Sequence, residues 1–321
     1  MMLDWIYVGL GLVILLLAGD SLVKGAVNLA LRLGIPALIV SLTVVAFGTS
    51  APELLISVQA IWAGVPGIAL GNVVGSNTAN VLLVLGVPAI LAVMHTSKCD
   101  TRDSYLQMLA ATALFIVICF LGPITWIDGL VLLAALTAML VHAARAARAH
   151  RREGIAAAVE QEEEEELEGA DPSLGWPRIL FYLALGLVGL PLGADLLVDG
   201  STRIARTFGV SETVIGLSLV AVGTSLPELA TTVMAALRKQ ADVAFGNVIG
   251  SNMFNLLGII GVASLVGPIP VEQRFLTEDL WIMLGASLIL IPFVFLGRDM
   301  GRAWGIAFVL LYLGYMGLLL T

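Results

Sequence analysis

Two heptapeptides, GTSAPEL at Gly48 to Leu54 and GTSLPEL at Gly223 to Leu229, each set one glutamate, Glu53 or Glu228, near the middle of an apolar segment. A carboxylate in such surroundings costs several kcal/mol unless it is paired or faces a polar cavity. Neither segment supplies a lysine or arginine beside the glutamate, so a bound cation is the natural counter-charge. Hard cations such as Ca²⁺ take several oxygen ligands from carboxylates, amides and backbone carbonyls. Those oxygens are at hand. Thr49 precedes Glu53 by four residues and Thr224 precedes Glu228 by four, while a second repeated motif spaces Ser76 from Asn80 and Ser251 from Asn255 in the same way. Helical residues four apart share a face, so each motif offers a polar stripe that could converge with the others. Pro52 and Pro227 lack an N–H for the carbonyls of Gly48 and Gly223 and loosen the helix just before each glutamate. Irregular backbone at membrane depth is tolerated only inside protein or against a wet cavity, and freed carbonyls there can become ligands.

Plainer roles compete for several of these residues. Small and hydroxylated side chains also serve as helix-packing contacts in membranes, and packing is the reading given to Gly71, Gly75, Gly246 and Gly250. Ser76, Asn80, Ser251 and Asn255 are read as ligands because they recur in register with the glutamates. Asp20 and Asp195 also recur, and a structural or interfacial role is expected for them. Cys99 and Cys119 cannot form a disulfide framework, and His95, His142 and His150 lack metal-ligand spacing. No resident cofactor and no enzymatic activity are expected.

The elements that must hold these residues are membrane helices. Of 321 residues, 59% are hydrophobic and only 12% charged, which excludes an ordinary soluble protein. Continuous apolar runs of about 20 residues match helices crossing roughly 30 Å of hydrocarbon, not the alternating strands of a barrel. Ten spans are expected, at 4–31, 36–62, 67–94, 104–121, 125–145, 178–206, 211–237, 242–267, 277–296 and 302–320. The first is too long for a signal-peptide core and is expected to stay in the mature chain. The net charge of −8 comes mostly from the glutamate run between Glu160 and Glu168, which lacks the ordered spacing of an EF-hand and reads as a solvated linker. It does not point to nucleic acid.

The halves repeat. Glu228 minus Glu53 is 175, and the same offset carries Asp20 to Asp195, Thr49 to Thr224, Gly71 to Gly246 and Asn80 to Asn255. GNVVGSNTAN (Gly71 to Asn80) returns as GNVIGSNMFN (Gly246 to Asn255). The division expected is a first repeat at 1–145, an acidic linker at 146–176 and a second repeat at 177–321. Five spans per repeat is odd, so the second must enter from the opposite side, giving an all-α membrane protein of ten helices in two inverted-topology repeats. Basic residues favour both termini outside the cell membrane and the linker in the cytoplasm, since Lys24, Arg32, Lys98, Arg102, the cluster at Arg145 to Arg152, Arg178, Arg238, Lys239, Arg298 and Arg302 then lie inside and only Arg203, Arg206 and Arg274 outside.

On the residues of GTSAPEL, GTSLPEL and the two GSN motifs, the sequence resembles the calcium/cation antiporter superfamily, in its prokaryotic sodium/calcium exchanger form, over all ten spans. The resemblance implies exchange of extracellular Na⁺ for cytoplasmic Ca²⁺ by alternating access, the first and sixth helices sliding past the other eight. It implies that Glu53, Glu228 and the carbonyls of Thr49 and Thr224 ligate Ca²⁺. Sodium would use the same glutamates, the side chains of Ser50, Ser76, Ser225 and Ser251 and the carbonyls of Ala46 and Ala221, with Asn80 and Asn255 completing the central site. Some relatives, including potassium-dependent exchangers, have aspartate where this chain has Asn255, which argues against potassium dependence and leaves two carboxylates to balance the ions. The transported ions and the lipid bilayer are then the partners, and the chain is expected to work as a monomer.

Three other readings use the same residues. The glutamates could protonate in an H⁺/Ca²⁺ antiporter, form the selectivity site of a passive cation channel, or do acid–base work in an intramembrane hydrolase. Proton-coupled relatives tend to carry GNxxE in place of GTSxPE, which leans the reading toward sodium.

Overall fold

The structure, a computed structural model, describes residues 2–157, 171, 173–209 and 221–320. Among the described residues it is helical throughout, with two isolated backbone bridges, Met94 with Met300 and Ile124 with Ile269, and no strands. Eight helices are long and apolar enough to cross a membrane, or nine if one bent pair counts as a single span. The expected seventh span, 211–237, begins in residues outside that description and is seen only in its second part.

In chain order the helices are α1 (Met2–Leu33), α2 (Ala37–Thr49), α3 (Ala51–Trp62), α4 (Pro66–Leu91), α5 (Arg102–Phe120), α6 (Trp126–Ala157) and α7 (Trp176–Thr207). They continue as α8 (Ala221–Thr224), α9 (Leu226–Leu237), α10 (Ala241–Val266), α11 (Phe275–Phe295) and α12 (Arg302–Leu320). Helix α6 runs well past the expected end at 145, because AARAARAH is made of strong helix formers and carries no proline. The acidic run that follows, Glu160 to Glu168, lies outside the described residues.

Burial sorts the helices into a centre and a periphery. The hydrophobic windows of α4 and α10 are each 78% buried, against 39% for α1 and 33% for α7. On α4 and α10, Val73, Val81, Leu85, Phe245, Val248 and Leu257 are fully buried, and Phe115 of α5 packs with them. Helices α1 and α7 form a separate cluster through Leu15, Ala18, Leu22, Leu183, Leu190 and Ala194. Their contact is close because it is lined with glycine: a Cβ on Gly193 would sit 2.9 Å from the Leu15 nitrogen, and one on Gly200 would sit 2.8 Å from the Asp4 carbonyl oxygen.

Ion pairs fasten α1 to α7 and to the end of α9. Arg203 Nε lies 2.7 Å from Asp4 Oδ1 and joins α7 to α1. Arg238, just beyond α9, holds Asp20 of α1 with Nε at 2.6 Å, and Lys24 lies 3.1 Å from the same carboxylate. Asp20 therefore serves a structural ion pair, as its sequence context suggests. Outside the spans, Asp299 latches two loops together by accepting from His95 Nδ1 at 2.8 Å and the Ser97 N–H at 3.1 Å. Burial opposes ionisation there, yet these bonds hold the Asp299 carboxyl below the ordinary aspartate range.

The repeat seen in the letters returns in the backbone. Left-handed φ values occur at Gly34 and Gly209, at Gly64 and Lys239, and at Gly122 and Gly297, each pair 175 apart. Lys239, at φ 56°, accepts a conformation for which the first half uses Gly64 at φ 76°. The π-helical turns Asn80–Val84 and Phe254–Ile259 also fall in register.

Candidate ion-binding site

Each glutamate stands just after a break. Helix α2 ends at Thr49, Ser50 has φ −85° and ψ 3°, and α3 restarts at Ala51 with Pro52 in its first turn and an overall bend of 42°. The second motif repeats this geometry: Ser225 has φ −89° and ψ 4° between α8 and α9, with Pro227 in the first turn of α9. The missing proline N–H explains both breaks, and the first turn is where proline is tolerated. Glu53 and Glu228 consequently lie near helix N-termini, which favour negative charge. Pro52→Ala restores the donor for the Gly48 carbonyl and lets α2 and α3 merge. We expect this variant to melt no lower than the parent in detergent yet to bind Ca²⁺ about 10-fold more weakly by calorimetry, since Glu53 would be carried off its position.

Two asparagines brace the broken segments, and two more tie α4 to α10. Asn72 Nδ2 donates to the Glu53 carbonyl at 3.2 Å and to Ser57 Oγ at 3.1 Å; Asn247 Nδ2 donates to the Glu228 carbonyl at 3.4 Å and to Thr232 Oγ1 at 3.2 Å. Across the halves, Thr49 Oγ1 lies 3.3 Å from Asn247 Oδ1 and 3.4 Å from Ser251 Oγ, and Ser50 Oγ donates to Glu228 Oε1 at 3.2 Å. Asn77 and Asn252, at the crossing of α4 and α10, bond to each other and to Asn255 and Asn80.

What this arrangement leaves over is oxygen. Among the described residues, seven buried side-chain oxygens lack a hydrogen-bond donor. Six come from the motifs: both Oε atoms of Glu53, Oε2 of Glu228, Oδ1 of Asn80, Oδ1 of Asn255 and Oγ of Ser225; the seventh is Oδ1 of Asp242. Buried polar atoms in proteins are nearly always satisfied, so such a group of unpaired oxygens is a candidate set of ligands for a cation. Carboxylate, amide and hydroxyl oxygens are the donor set for Ca²⁺ or Na⁺.

The residues expected from the sequence are placed as follows. Glu53, Glu228, Asn80, Asn255, Ser50, Ser225, Ser76, Ser251 and Thr49 are all buried, none more than 5% exposed. Thr224 is half-buried, so the two threonines are not equivalent. The Ala46 carbonyl accepts from the Ser50 N–H at 3.0 Å and from Thr49 Oγ1 at 3.3 Å, leaving it engaged within its own turn. Ala221 opens α8, and its side chain lies outside the description. The packing role read for Gly246 and Gly250 is visible, since Cβ atoms there would meet the carbonyl oxygens of Leu38 and Leu42 at 2.9 and 2.5 Å. The positions matching those carbonyls for Gly71 and Gly75, 213 and 217, are among the residues not described. Asn72, Asn77, Asn247 and Asn252 were not singled out by spacing, although each sits inside the repeated motifs.

A family model described as sodium/calcium exchanger protein matches residues 3–144 and again 178–321. The chain belongs to the sodium/calcium exchanger family. Among relatives of this exchanger-family chain, the sodium/calcium exchanger MaX1 of Methanosarcina acetivorans is 34% identical, with 96% of this chain and 95% of that one covered. The inner membrane protein YrbG of Escherichia coli is 32% identical over 87% of this chain and 85% of its own length. A solved structure of the sodium-calcium exchanger NCX_Mj superposes with a TM-score of 0.82 at 34% identity, covering 98% of both chains. This exchanger-family member is thus an all-α, multi-pass membrane protein of a cation antiporter family.

Proposed function

We propose that the chain exchanges Na⁺ for Ca²⁺ by alternating access, with the two ions competing for Glu53 and Glu228. The observation that carries this reading is the set of unpaired acceptors on Glu53, Asn80, Ser225, Glu228 and Asn255. Because both ions need the same carboxylates, neither can occupy the site beside the other, and that exclusion couples their movements. Two carboxylates neutralise one Ca²⁺, whereas three Na⁺, the count usual in sodium/calcium exchangers, leave one positive charge. Each such charge crossing the full field is worth about 2.3 kcal/mol per 100 mV, so the cycle is electrogenic.

The same reading places five spans in each inverted repeat, 1–145 and 177–321, with α2–α3 and α8–α9 each one broken span, both termini outside and the acidic linker inside. Helices α1 and α7 are the moving pair. Their support for that role is a glycine-lined contact with each other and the glycines that the motif helices turn toward α7, where Gly48 faces Leu187 and Gly223 faces Val198.

The test is ⁴⁵Ca²⁺ uptake into vesicles loaded with Na⁺, Li⁺ or buffer at separate pH gradients. Uptake should follow the outward Na⁺ gradient and speed up when the interior is made positive. Uptake driven by pH and indifferent to Na⁺ would transfer the mechanism to protons, and uptake without any counter-ion would make the protein a channel.

A further inference from the structure

Beyond the ligands themselves, the ring of asparagines at the α4–α10 crossing decides which end of two ligating amides faces the ions. The orientation of a buried amide follows from its partners, and a backbone carbonyl can only accept. Asn77 Nδ2 donates to the Asn252 carbonyl at 3.2 Å, which turns Asn77 Oδ1 the other way, and Asn255 Nδ2 donates to that oxygen at 3.0 Å. Reciprocally, Asn252 Nδ2 donates to the Asn77 carbonyl at 3.4 Å and reaches Met108 Sδ at 3.8 Å, so Asn252 Oδ1 accepts from Asn80 Nδ2 at 3.1 Å. Each ligand is thereby held by an asparagine from the other half of the chain. With Nδ2 of each donating into the ring, Asn80 and Asn255 have Oδ1 as the atom left unpaired.

We propose that Asn77 and Asn252 are positioning residues that lock Asn255 and Asn80 with their oxygens toward the transported cation. All four side chains are at most 2% exposed, so water does not supply a substitute partner. An amide freed from the ring can turn over, and its NH₂ end would then repel a cation where its oxygen attracted one. The proposal rests on the reading of Asn80 and Asn255 as ion ligands.

The experiment is a double-mutant cycle on the full chain in lipid nanodiscs, read as the Ca²⁺ dissociation constant by calorimetry. Asn252→Leu removes the acceptor of Asn80 Nδ2 while leaving the Asn252 carbonyl for Asn77 in place. It should weaken Ca²⁺ about 10-fold alone and about 10-fold in an Asn255→Ala background, but less than 2-fold in an Asn80→Ala background. Equal losses in all three backgrounds would show a merely structural asparagine and overturn the proposal, while leaving the exchanger reading intact. If Asn252→Leu does not fold, the reciprocal cycle decides: Asn77→Leu should lose its effect in Asn255→Ala and keep it in Asn80→Ala. A parent chain that binds no Ca²⁺ at all would overturn both this proposal and the reading beneath it.

Discussion

Glu53→Gln should weaken Ca²⁺ binding by at least about 100-fold, or about 2.7 kcal/mol, when the variant and parent are titrated by calorimetry. The side chain is 1% exposed, and neither of its carboxylate oxygens meets a protein donor. Glutamine keeps the volume and one oxygen, so the packing survives. It removes one of the two buried carboxylate charges that the proposed site would offer a divalent ion, and puts an NH₂ group where an unpaired acceptor stood. Glu228→Gln should lose as much, although its amide oxygen can still accept from Ser50. The melting temperature without Ca²⁺ should hold or rise in both variants, because a buried unpaired carboxylate is replaced by a neutral group. Unchanged Ca²⁺ affinity in either variant would remove the glutamates from the site.

Gly250→Val should have the largest effect on stability. A Cβ at that position would lie 2.5 Å from the Leu42 carbonyl oxygen, 2.6 Å from Ala46 Cβ and 2.9 Å from Leu42 Cα. Two of these three atoms belong to backbone, which can move only by shifting α2 as a whole. Overpacking of a close core typically costs 1–3 kcal/mol and more when backbone is the obstacle, so a loss of about 3 kcal/mol is expected. The displacement would also part Thr49 from Ser251, now 3.4 Å apart, and so carry the defect into the site. Thermal melting in detergent should show the loss clearly. Gly285→Ala is the control, because a Cβ there meets nothing within 4 Å and helix propensity favours alanine.

Much of this was legible in the letters, for physical reasons that can be traced to particular residues. Glu53 and Glu228 were visible because an isolated carboxylate in an apolar run is costly, and the constant offset of 175 made the second a check on the first. The breaks before them followed from Pro52 and Pro227. Helix–helix partners were not legible, since the i,i+4 rule says which residues share a face but not which faces meet. That is why Asn77 and Asn252 escaped notice: their partners lie 175 residues away, across α4 and α10. The extension of α6 to Ala157 was missed for another reason, because hydropathy ends a span where charge begins, whereas helix propensity continues through alanine and arginine. The ion pair of Asp20 with Arg238 likewise needs the fold to bring α1 against the end of α9.

The asparagine ring also bears on where such a chain could have come from. One half alone presents a carbonyl and an amide at Asn77 with nothing to receive them, so a single copy of the motifs can close the ring only by pairing with a second copy. Such a pair would assemble and fall apart with concentration. Joining the copies in one chain replaces that association with a fixed local concentration, on the order of millimolar for a short flexible connection. It also lets the copies diverge: Lys239 now stands where the other half has Gly64, and Arg238 holds Asp20 while the position 175 residues before it is Ala63. A homodimer could not have acquired that charge on one side only.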